Sequence, residues 1–278
     1  MTDRLFSLFI WAIAGLVVLA LIWMLSDVIL KGLPHFSLSF LYTEPTNAGR
    51  SGGIGPILVS TLLILLVALC VAVPFGLGVA VWLSEFSSIK GRKSGSSVRL
   101  ALDVLSGVPS IVYGLFGNAF FCIYLGFGFS ILSGGLTLAC MVLPVFIRTC
   151  ERGLSAVDND WRRGASALGM SRSSVIWHVL LPAATPAITA GLILGLGRAT
   201  AETAALIFTS GYVDRIPESI FDSGRSLAIH IYDLSMNVTG GDAAAYASAL
   251  TLITIVIVLN SLAQMFTDRW FSRRITAT

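Results

Sequence analysis

An arginine and a glutamate interrupt the otherwise apolar run PAITAGLILGLGRATAETAALIFTS, residues 186–210. Arg198 falls near its middle, where a charged side chain costs roughly 2.5 to 3.5 kcal/mol to insert into a membrane. Its planar guanidinium offers a fork of N–H donors that matches an oxyanion in charge and geometry. One hypothesis is therefore that Arg198 contacts an anion along a membrane pathway, while Glu202 holds the guanidinium when no anion is bound.

A simpler explanation is that the two charges neutralise each other. Glu202 follows Arg198 by four residues, which places both side chains on one face of a continuous helix. Intrahelical pairing alone would make insertion tolerable, because neither charge would then stand unpaired in the membrane. Both explanations remain open from the sequence, and both predict that the two side chains are in contact.

A second candidate site is the polar stretch ERGLSAVDNDWRRGASALGMSRSSVIWHVLLPAAT, residues 151–185, which interrupts the apolar centre of the chain. Small residues before Gly169 predict a short helix that ends at this glycine. A second helical segment is predicted from Arg172 to Leu181, after which prolines redirect the chain. An amphipathic loop lying on lipid headgroups is the alternative to a docking surface.

The composition is that of a protein embedded in a membrane. Of its 278 residues, 55% are hydrophobic and 12% charged, and the mean hydropathy is +0.86, whereas soluble domains carry roughly 25% charged residues. The net charge of +3 gives no support to nucleic-acid binding. The cysteines lie in or at the ends of apolar runs without metal-ligand spacing, so we expect neither a disulfide framework nor a metal site.

Six apolar windows are long enough to cross a hydrocarbon core about 30 Å thick. They lie at about residues 5–28, 57–83, 101–125, 130–150, 186–209 and 247–268. The third and fourth come from one apolar stretch, in which Gly126–Gly135 predicts a tight turn.

The distribution of cations predicts the orientation. With the N-terminus inside, the cytoplasmic side receives Arg4, Lys90, Arg92, Lys93, Arg99, Arg148, Arg152, Arg162, Arg163, Arg172, Arg269, Arg273 and Arg274. The outer side receives only Lys31, Arg50, Arg215 and Arg225. The positive-inside rule therefore predicts that both termini are cytoplasmic.

Two local features predict packing rather than chemistry. In the second span Pro74 predicts a kink, and Gly76 and Gly78 predict close approach of another helix. At the start of the third span, Asp103 is expected to pair with Arg99, one turn earlier.

The external loop at 211–246 is net acidic. Leu227, Ile231 and Leu234 are spaced for one face of a short helix within it. This helix is expected either to cover the external mouth, to meet a partner, or to pack against the chain's own helices.

The stretch 151–185 resembles the coupling motif of ABC-transporter permeases, which is usually written EAA, three residues, G, nine residues, I, one residue, LP. This resemblance implies a coupling helix that sits in a cleft of an ATPase subunit and transmits its closure to the membrane helices. It assigns ATPase coupling to Arg163, Gly164, Ala165, Ala167, Leu168, Gly169, Val179, Leu181 and Pro182. Arg163 stands at the usual glutamate position and Gly164 at the next alanine, so a salt bridge from that glutamate is not carried over.

Other strings resemble the A-type permease subunit of the high-affinity phosphate importer. They are FLYTEP, GGIGP and STL before AVPFGLGVAVWLSEF, then LDVLSGVPSIVYGLFG, and GRATAET followed by ALIFTSG. The resemblance covers about residues 36 to 270 and implies substrate-pathway roles for Arg198 and Glu202. It implies phosphate as the substrate, although sulfate, molybdate or phosphonate would also suit a guanidinium.

The resemblance implies an all-α polytopic membrane protein with six transmembrane helices and the type I ABC-importer permease fold. The expected organisation is a transmembrane helix at 1–35, an external loop at 36–56, a core of five transmembrane helices at 57–270 and a cytoplasmic tail at 271–278. The implied partners are a second, C-type permease subunit, two ATPase subunits inside and a phosphate-binding protein outside. This chain would bind no cofactor, ATP would be hydrolysed by the partners, and the complex would lie in a bacterial inner membrane.

P-loop and zinc-protease motifs are missing from the sequence. GRKSG at 91–95 has Arg92 where the P-loop lysine must follow glycine, and HExxH does not occur. An intramembrane enzyme would need a convergent nucleophile and base, which the separate positions of His35, His178 and His230 do not provide. An uncoupled anion channel would have no use for an ordered coupling loop. We therefore expect a non-catalytic transport subunit.

Overall fold

The computed structural model describes residues 2–87 and 93–275 and is almost entirely helical. The helices are α1 (Thr2–Gly32), α2 (Leu38–Tyr42), α3 (Gly55–Val81), α4 (Lys93–Ser106), α5 (Ser110–Gly117), α6 (Ile131–Ala156), α7 (Asn159–Ala167), α8 (Arg172–Val175), α9 (Leu181–Ala183), α10 (Thr185–Thr200), α11 (Ala204–Ile207), α12 (Leu227–Met236) and α13 (Asp242–Ile275). Between α2 and α3, β1 (Pro45–Thr46) and β2 (Ser51–Gly52) form a small antiparallel hairpin. Segments of π-helix follow α3, α5 and α8, at Trp82–Phe86, Asn118–Tyr124 and Ile176–Leu180.

Four helices are long and apolar enough to cross a membrane, namely Phe6–His35, Gly55–Phe86, Ile131–Ala156 and Asp242–Met265. Two further spans consist of bent pairs. α4 meets α5 at 102°, and the segment from α8 to α9 meets α10 at 66°. Pro109 lies at the first bend and Pro186 at the second. Because proline has no N–H to donate, a regular helix is interrupted at both places. With each bent pair counted as one span the total is six, as predicted, but the third and fifth spans are broken.

The turn between the third and fourth spans is shorter than the predicted Gly126–Gly135. It is confined to residues 125–130, where Gly126 and Gly128 have φ of +73° and +62°. Gly135 lies inside α6 instead, and a Cβ there would be 2.5 Å from a side-chain atom of α3. This glycine permits close helix packing, which the local sequence does not distinguish from a turn.

The core lies between α3, α6 and α10. Phe146 of α6 is 1% exposed and is enclosed by Gly76 of α3 and Gly191 of α10. A Cβ on Gly76 would overlap the Phe146 ring, so the predicted close approach is confirmed there. It is wrong for Gly78, where a Cβ would meet no heavy atom of the described residues within 4 Å. Two residues rotate the helix by about 200°, so Gly78 lies on the opposite face.

α1 packs mainly against α13. Its apolar window is 0% buried, and Trp11 and Trp23 are 75% and 78% exposed. An apolar helix with so little protein cover fits a lipid environment, where apolar side chains face hydrocarbon without cost.

The segment after α11 folds back over the start of α6. The backbone N–H groups of Ile131 and Leu132 donate to the carbonyls of Asp222 and Ile220, each at 2.9 Å. A helix start leaves such N–H groups without intrahelical partners, so these bonds fix the segment after α11 to α6.

α12, which follows this segment, packs against the chain's own helices. Leu227 and Leu234 are 0% and 1% exposed, and the helix packs against α13. The predicted apolar face is therefore present and contacts the chain's own helices.

A histidine is buried on α12. His230 is 1% exposed, and its Nε2 has no hydrogen-bond partner among the described residues. Burial, and then the nearby Arg225 guanidinium, lower the pKa of His230 to about 4, although the Asp233 carboxylate opposes this shift. The imidazole is therefore neutral in the folded protein at neutral pH.

The packing of Gly76 predicts an asymmetric response to alanine. Gly76→Ala should lower the unfolding temperature in detergent, because displacing the Phe146 ring from a filled core costs about 1 to 3 kcal/mol. Gly78→Ala, the matched control on the same helix, should be neutral or slightly stabilising, since alanine is the better helix former. Equal effects of the two substitutions would contradict the packing of α3 against α6.

The burial of His230 predicts acid sensitivity. Its folded pKa of about 4 lies below the ordinary value of 6.5, so its contribution to stability is complete above about pH 6.5 and is lost as the pH falls toward 4. The full difference corresponds to about 3 kcal/mol. The unfolding temperature of the wild type should fall more steeply over this window than that of His230→Gln. His35→Gln, at an exposed histidine, is the control, and identical slopes for wild type and His230→Gln would refute the effect.

Candidate functional site

Arg198 lies half-buried in the last turn of α10. The helix ends at Thr200, and residues 201–203 separate it from α11. The prediction of one continuous helix over 186–209 is therefore wrong. The interruption comes just after the arginine, so Arg198 and Glu202 belong to different local structures.

Glu202 caps α11 instead of pairing with Arg198. Its Oε1 accepts a hydrogen bond from the N–H of Ala205 at 3.2 Å, one of the free donors at a helix start. The ion pairs among the described residues include none made by Arg198. An i, i+4 pair needs an unbroken helix through both positions, and the end of α10 removes it. The contact that both sequence-based explanations required does not form.

The helix that carries Arg198 ends close to the bend of the third span, because α11, which begins four residues after Thr200, contacts α5. Tyr113 of α5 is buried, and its hydroxyl donates to the carbonyl of Leu105 on α4 at 2.9 Å. α5 also packs closely on α11, because a Cβ on Gly114 would be 2.8 Å from the Cα of Ala205. Within the part of the chain that the structure describes, Arg198 is therefore an uncompensated cation where α10, α11 and the broken third span meet.

The second candidate site folds as helix, glycine turn and helix, as predicted. Asp158 caps α7, and its Oδ1 accepts from the N–H of Asp160 at 3.0 Å. Gly169 has a φ of +72°, and the N–H of Met170 donates back to the carbonyl of Ala165 at 3.1 Å. This arrangement closes the C-terminal end of α7 in the manner that favours glycine. α6 continues to Ala156, so the first residues of the stretch belong to a membrane helix.

The residues that the motif assigns to coupling fall into two groups. The exposed group consists of Arg163, Gly164, Ala167, Leu168 and Gly169. The packed group consists of Ala165, which is buried, and of Val179, Leu181 and Pro182, which are partly buried. Leu168 is 82% exposed, and two tryptophans that no motif marks, Trp161 and Trp177, are also exposed, at 58% and 67%. Exposed apolar patches mark surfaces that contact a partner protein or a membrane, so both explanations of this stretch stay open.

The two adjacent arginines of α7 have different surroundings. Arg163 approaches only Asp160, at 3.5 Å, and both side chains are about four-fifths exposed, at 81% and 80%. Arg162 is directed inward, and its Nη2 donates to Glu85 Oε1 at 2.8 Å. Arg163 is thus available to a partner, whereas Arg162 attaches α7 to the end of the second span.

Four further charged residues, on α4 and α6, form ion pairs with one another. We call Arg99, Asp103, Arg148 and Glu151 the charge cluster. The predicted pair of Asp103 with Arg99 is wrong, because Asp103 binds Arg148 instead. Arg148 Nε donates to Asp103 Oδ1 at 2.8 Å, and Arg148 Nη2 donates to Asp103 Oδ2 at 3.1 Å. Arg99 and Arg148 both bind Glu151, whose side chain is 5% exposed. Only the pair of Arg148 with Glu151 follows local spacing, at i, i+3. Local spacing does not reveal the other contacts, because the partners of Arg99 and of Asp103 lie 52 and 45 residues away in the chain.

The chain is similar in sequence to known transport proteins. Residues 72–272 match the family described as "Binding-protein-dependent transport system inner membrane component". Over 271 residues the chain is 31% identical to "Probable ABC transporter permease protein YqgI" of Bacillus subtilis, covering 93% of this chain and 92% of that protein. Over 263 residues it is 30% identical to "Phosphate transport system permease protein PstA 2" of Mycobacterium bovis, covering 94% and 85%.

A solved structure shares the fold. A chain of a bacterial ABC transporter involved in the import of the acidic polysaccharide alginate superposes with a TM-score of 0.64 and 13% identity, over 93% of this chain and 96% of that chain. With its broken spans and its helix, glycine turn and helix between α6 and α10, this protein is a membrane-spanning permease subunit of the type I ABC-importer fold and belongs to the family of binding-protein-dependent transport system inner membrane components.

Proposed function

We propose that this chain is one of two membrane subunits of an ATP-driven importer of inorganic phosphate. The observation that carries the proposal is the uncompensated Arg198 at the junction of α10, α11 and the broken third span. The name of the Mycobacterium bovis relative, a phosphate transport system permease, supports phosphate as the anion. A guanidinium without a carboxylate partner presents all of its N–H donors to a passing oxyanion.

The break after Thr200 gives Glu202 a role that differs from holding the guanidinium. Its carboxylate is engaged at the start of α11, yet it follows Arg198 closely in the chain. A negative charge in this position weakens the binding of a phosphate dianion through repulsion. Weak binding suits a transporter, because an anion that is held tightly is not released.

The loop between α6 and α10 provides the coupling surface. Arg163, Leu168 and Trp161 face outward and dock in a cleft of an ATPase subunit, while Ala165, Val179, Leu181 and Pro182 hold the loop against the membrane helices. When ATP closes the ATPase dimer, the loop moves with it and the helix bundle changes from inward-open to outward-open. ATP is bound and hydrolysed by the partner subunits, and this chain carries no cofactor.

One coupling loop engages one ATPase subunit, so the assembly needs a second permease. We propose a C-type permease beside this chain, two ATPase subunits at the coupling loops and a phosphate-binding protein on the opposite face. The positive-inside distribution supports cytoplasmic termini in a bacterial inner membrane.

Loss of the Arg198 charge should abolish transport without abolishing ATP hydrolysis. We expect ATP-driven uptake of radiolabelled phosphate, in vesicles containing the assembled complex, to fall by more than about tenfold in Arg198→Gln, since a lost charge-assisted contact is worth about 1.5 to 3 kcal/mol. Arg4→Gln, at an exposed arginine near the start of α1, is the matched control and should transport normally. Glu202→Gln keeps an oxygen for the cap of α11 and should lose less activity than Arg198→Gln.

Three results would contradict the proposal. Normal uptake by Arg198→Gln would make Arg198 a structural charge. Uptake of sulfate with no competition from phosphate would assign a different oxyanion. Equal losses of phosphate uptake in Arg198→Gln and Glu202→Gln would favour the explanation in which the two side chains neutralise each other.

Gly169 should be essential for coupling rather than for binding. Its φ of +72° strains any L side chain, so Gly169→Asp distorts the end of α7 and disturbs the docked surface. We expect ATP hydrolysis by the complex to continue while phosphate uptake falls. Gly164→Ala, whose added methyl group would meet no described heavy atom within 4 Å, tests whether added volume on this surface is harmful without backbone strain. Unchanged uptake in Gly169→Asp would contradict the assignment of this loop.

A further inference from the structure

Arg162 attaches the coupling loop to two membrane helices. Its guanidinium binds both oxygens of Glu85, with Nη2 to Oε1 at 2.8 Å and Nε to Oε2 at 3.4 Å. The same side chain donates to the carbonyls of Leu154, at 2.8 Å, and Val157, at 2.6 Å, at the end of α6. Glu85 lies on the π-helical segment that ends the second span. One arginine therefore connects α7 to the ends of both α3 and α6.

The charge cluster extends this connection to α4. Glu151 of α6 receives Arg99 from α4 and Arg148 from its own helix, and Arg148 continues to Asp103 on α4. Arg99 Nη2 also donates to the carbonyl of Leu83 at 2.9 Å, within the segment that carries Glu85. The two sets of contacts thus meet at the end of the second span.

We propose that Glu85, Arg162 and Glu151 are positioning residues that make the coupling loop and the adjoining ends of α3, α4 and α6 move as one body. The proposal rests on the coupling role given to this loop in the proposed function. Through these residues the motion of the ATPase reaches the membrane helices. None of the three belongs to the coupling motif.

Burial makes these contacts strong enough for that purpose. The side chains of Glu85 and Arg162 are 18% and 22% exposed, and that of Glu151 is 5% exposed. Removing one partner of a buried pair leaves the other charge uncompensated, which is far more damaging than losing an exposed pair. The contact of Arg163 with Asp160, by contrast, is exposed and contributes little to stability.

The route ends near Arg198. α4 bends by 102° into α5, and α5 packs on α11, which follows Arg198 in the chain. None of the ion pairs of the described residues includes a residue of α10. A movement of α4 is therefore passed across the bend to α5, which packs on the segment that follows Arg198.

The test measures phosphate taken up per ATP hydrolysed by the reconstituted complex. Arg162→Met and Glu85→Gln should each lower this ratio by about tenfold, and the double variant should be no worse than either alone, because both remove one contact. Asp27→Asn is the matched control, since Asp27 forms an exposed ion pair with Lys31 at 2.8 Å at the other end of the protein. It should leave the ratio unchanged.

Two conservative variants allow the test to proceed if the charge is required for folding. Glu85→Asp and Arg162→Lys keep both charges but shorten or reshape the contact, so they should assemble and still lower the ratio. Glu151→Gln should do the same by loosening α4 from α6. The unfolding temperature of each complex is recorded beside the ratio.

The outcomes separate this inference from the proposed function. A wild-type complex that hydrolyses ATP without importing phosphate overturns the proposed function, and the inference with it. A wild type that imports phosphate, with variants whose ratio is unchanged, overturns the inference alone. If uptake and hydrolysis fall in the same proportion and the unfolding temperature falls too, the residues have a purely structural role. That result also overturns the inference. A lower ratio with hydrolysis retained supports it.

Discussion

A charge in the apolar part of a membrane protein needs a counter-charge, water or a ligand, because the low dielectric makes an isolated charge costly. The structure meets this need in two ways. At the base of the coupling loop, Glu151 is almost completely buried and bound by two arginines. At the junction of α10 and α11, Arg198 has no ion-pair partner among the described residues. The paired charges hold helices together, and the unpaired one is the side chain at which we propose that an anion binds.

The breaks in the helices determine which charge has which environment. If the fifth span were continuous, Glu202 would lie one turn from Arg198 and neutralise it. The end of α10 at Thr200 separates them and turns the glutamate into a helix cap. In the third span, the bend at Pro109 brings α5 toward the same junction. Irregular backbone at membrane depth is tolerated where protein surrounds it or where it lines a cavity, and both breaks lie beside the proposed pathway.

The positive-inside cations have a second use in this fold. Arg99, Arg148 and Arg162 belong to the group that predicts the orientation, yet each is directed inward and binds a carboxylate. Arg163, next to Arg162, remains exposed. Adjacent arginines therefore differ: one binds the protein's own helix ends and the other is exposed, because successive residues of a helix point about 100° apart.

The sequence by itself determined the number of apolar spans, the helix, glycine turn and helix of the coupling loop, and the presence of an arginine in the fifth span. These features depend on hydropathy, on the left-handed backbone that Gly169 permits and on local spacing, all of which are properties of neighbouring residues. Only the tertiary structure decided that Glu202 caps α11, that Arg148 rather than Arg99 takes Asp103, and that Gly76 packs while Gly78 does not. Each of these depends on where a helix breaks or on which distant helix lies opposite, and the free energy of a buried charge or a filled core is set by such long-range neighbours.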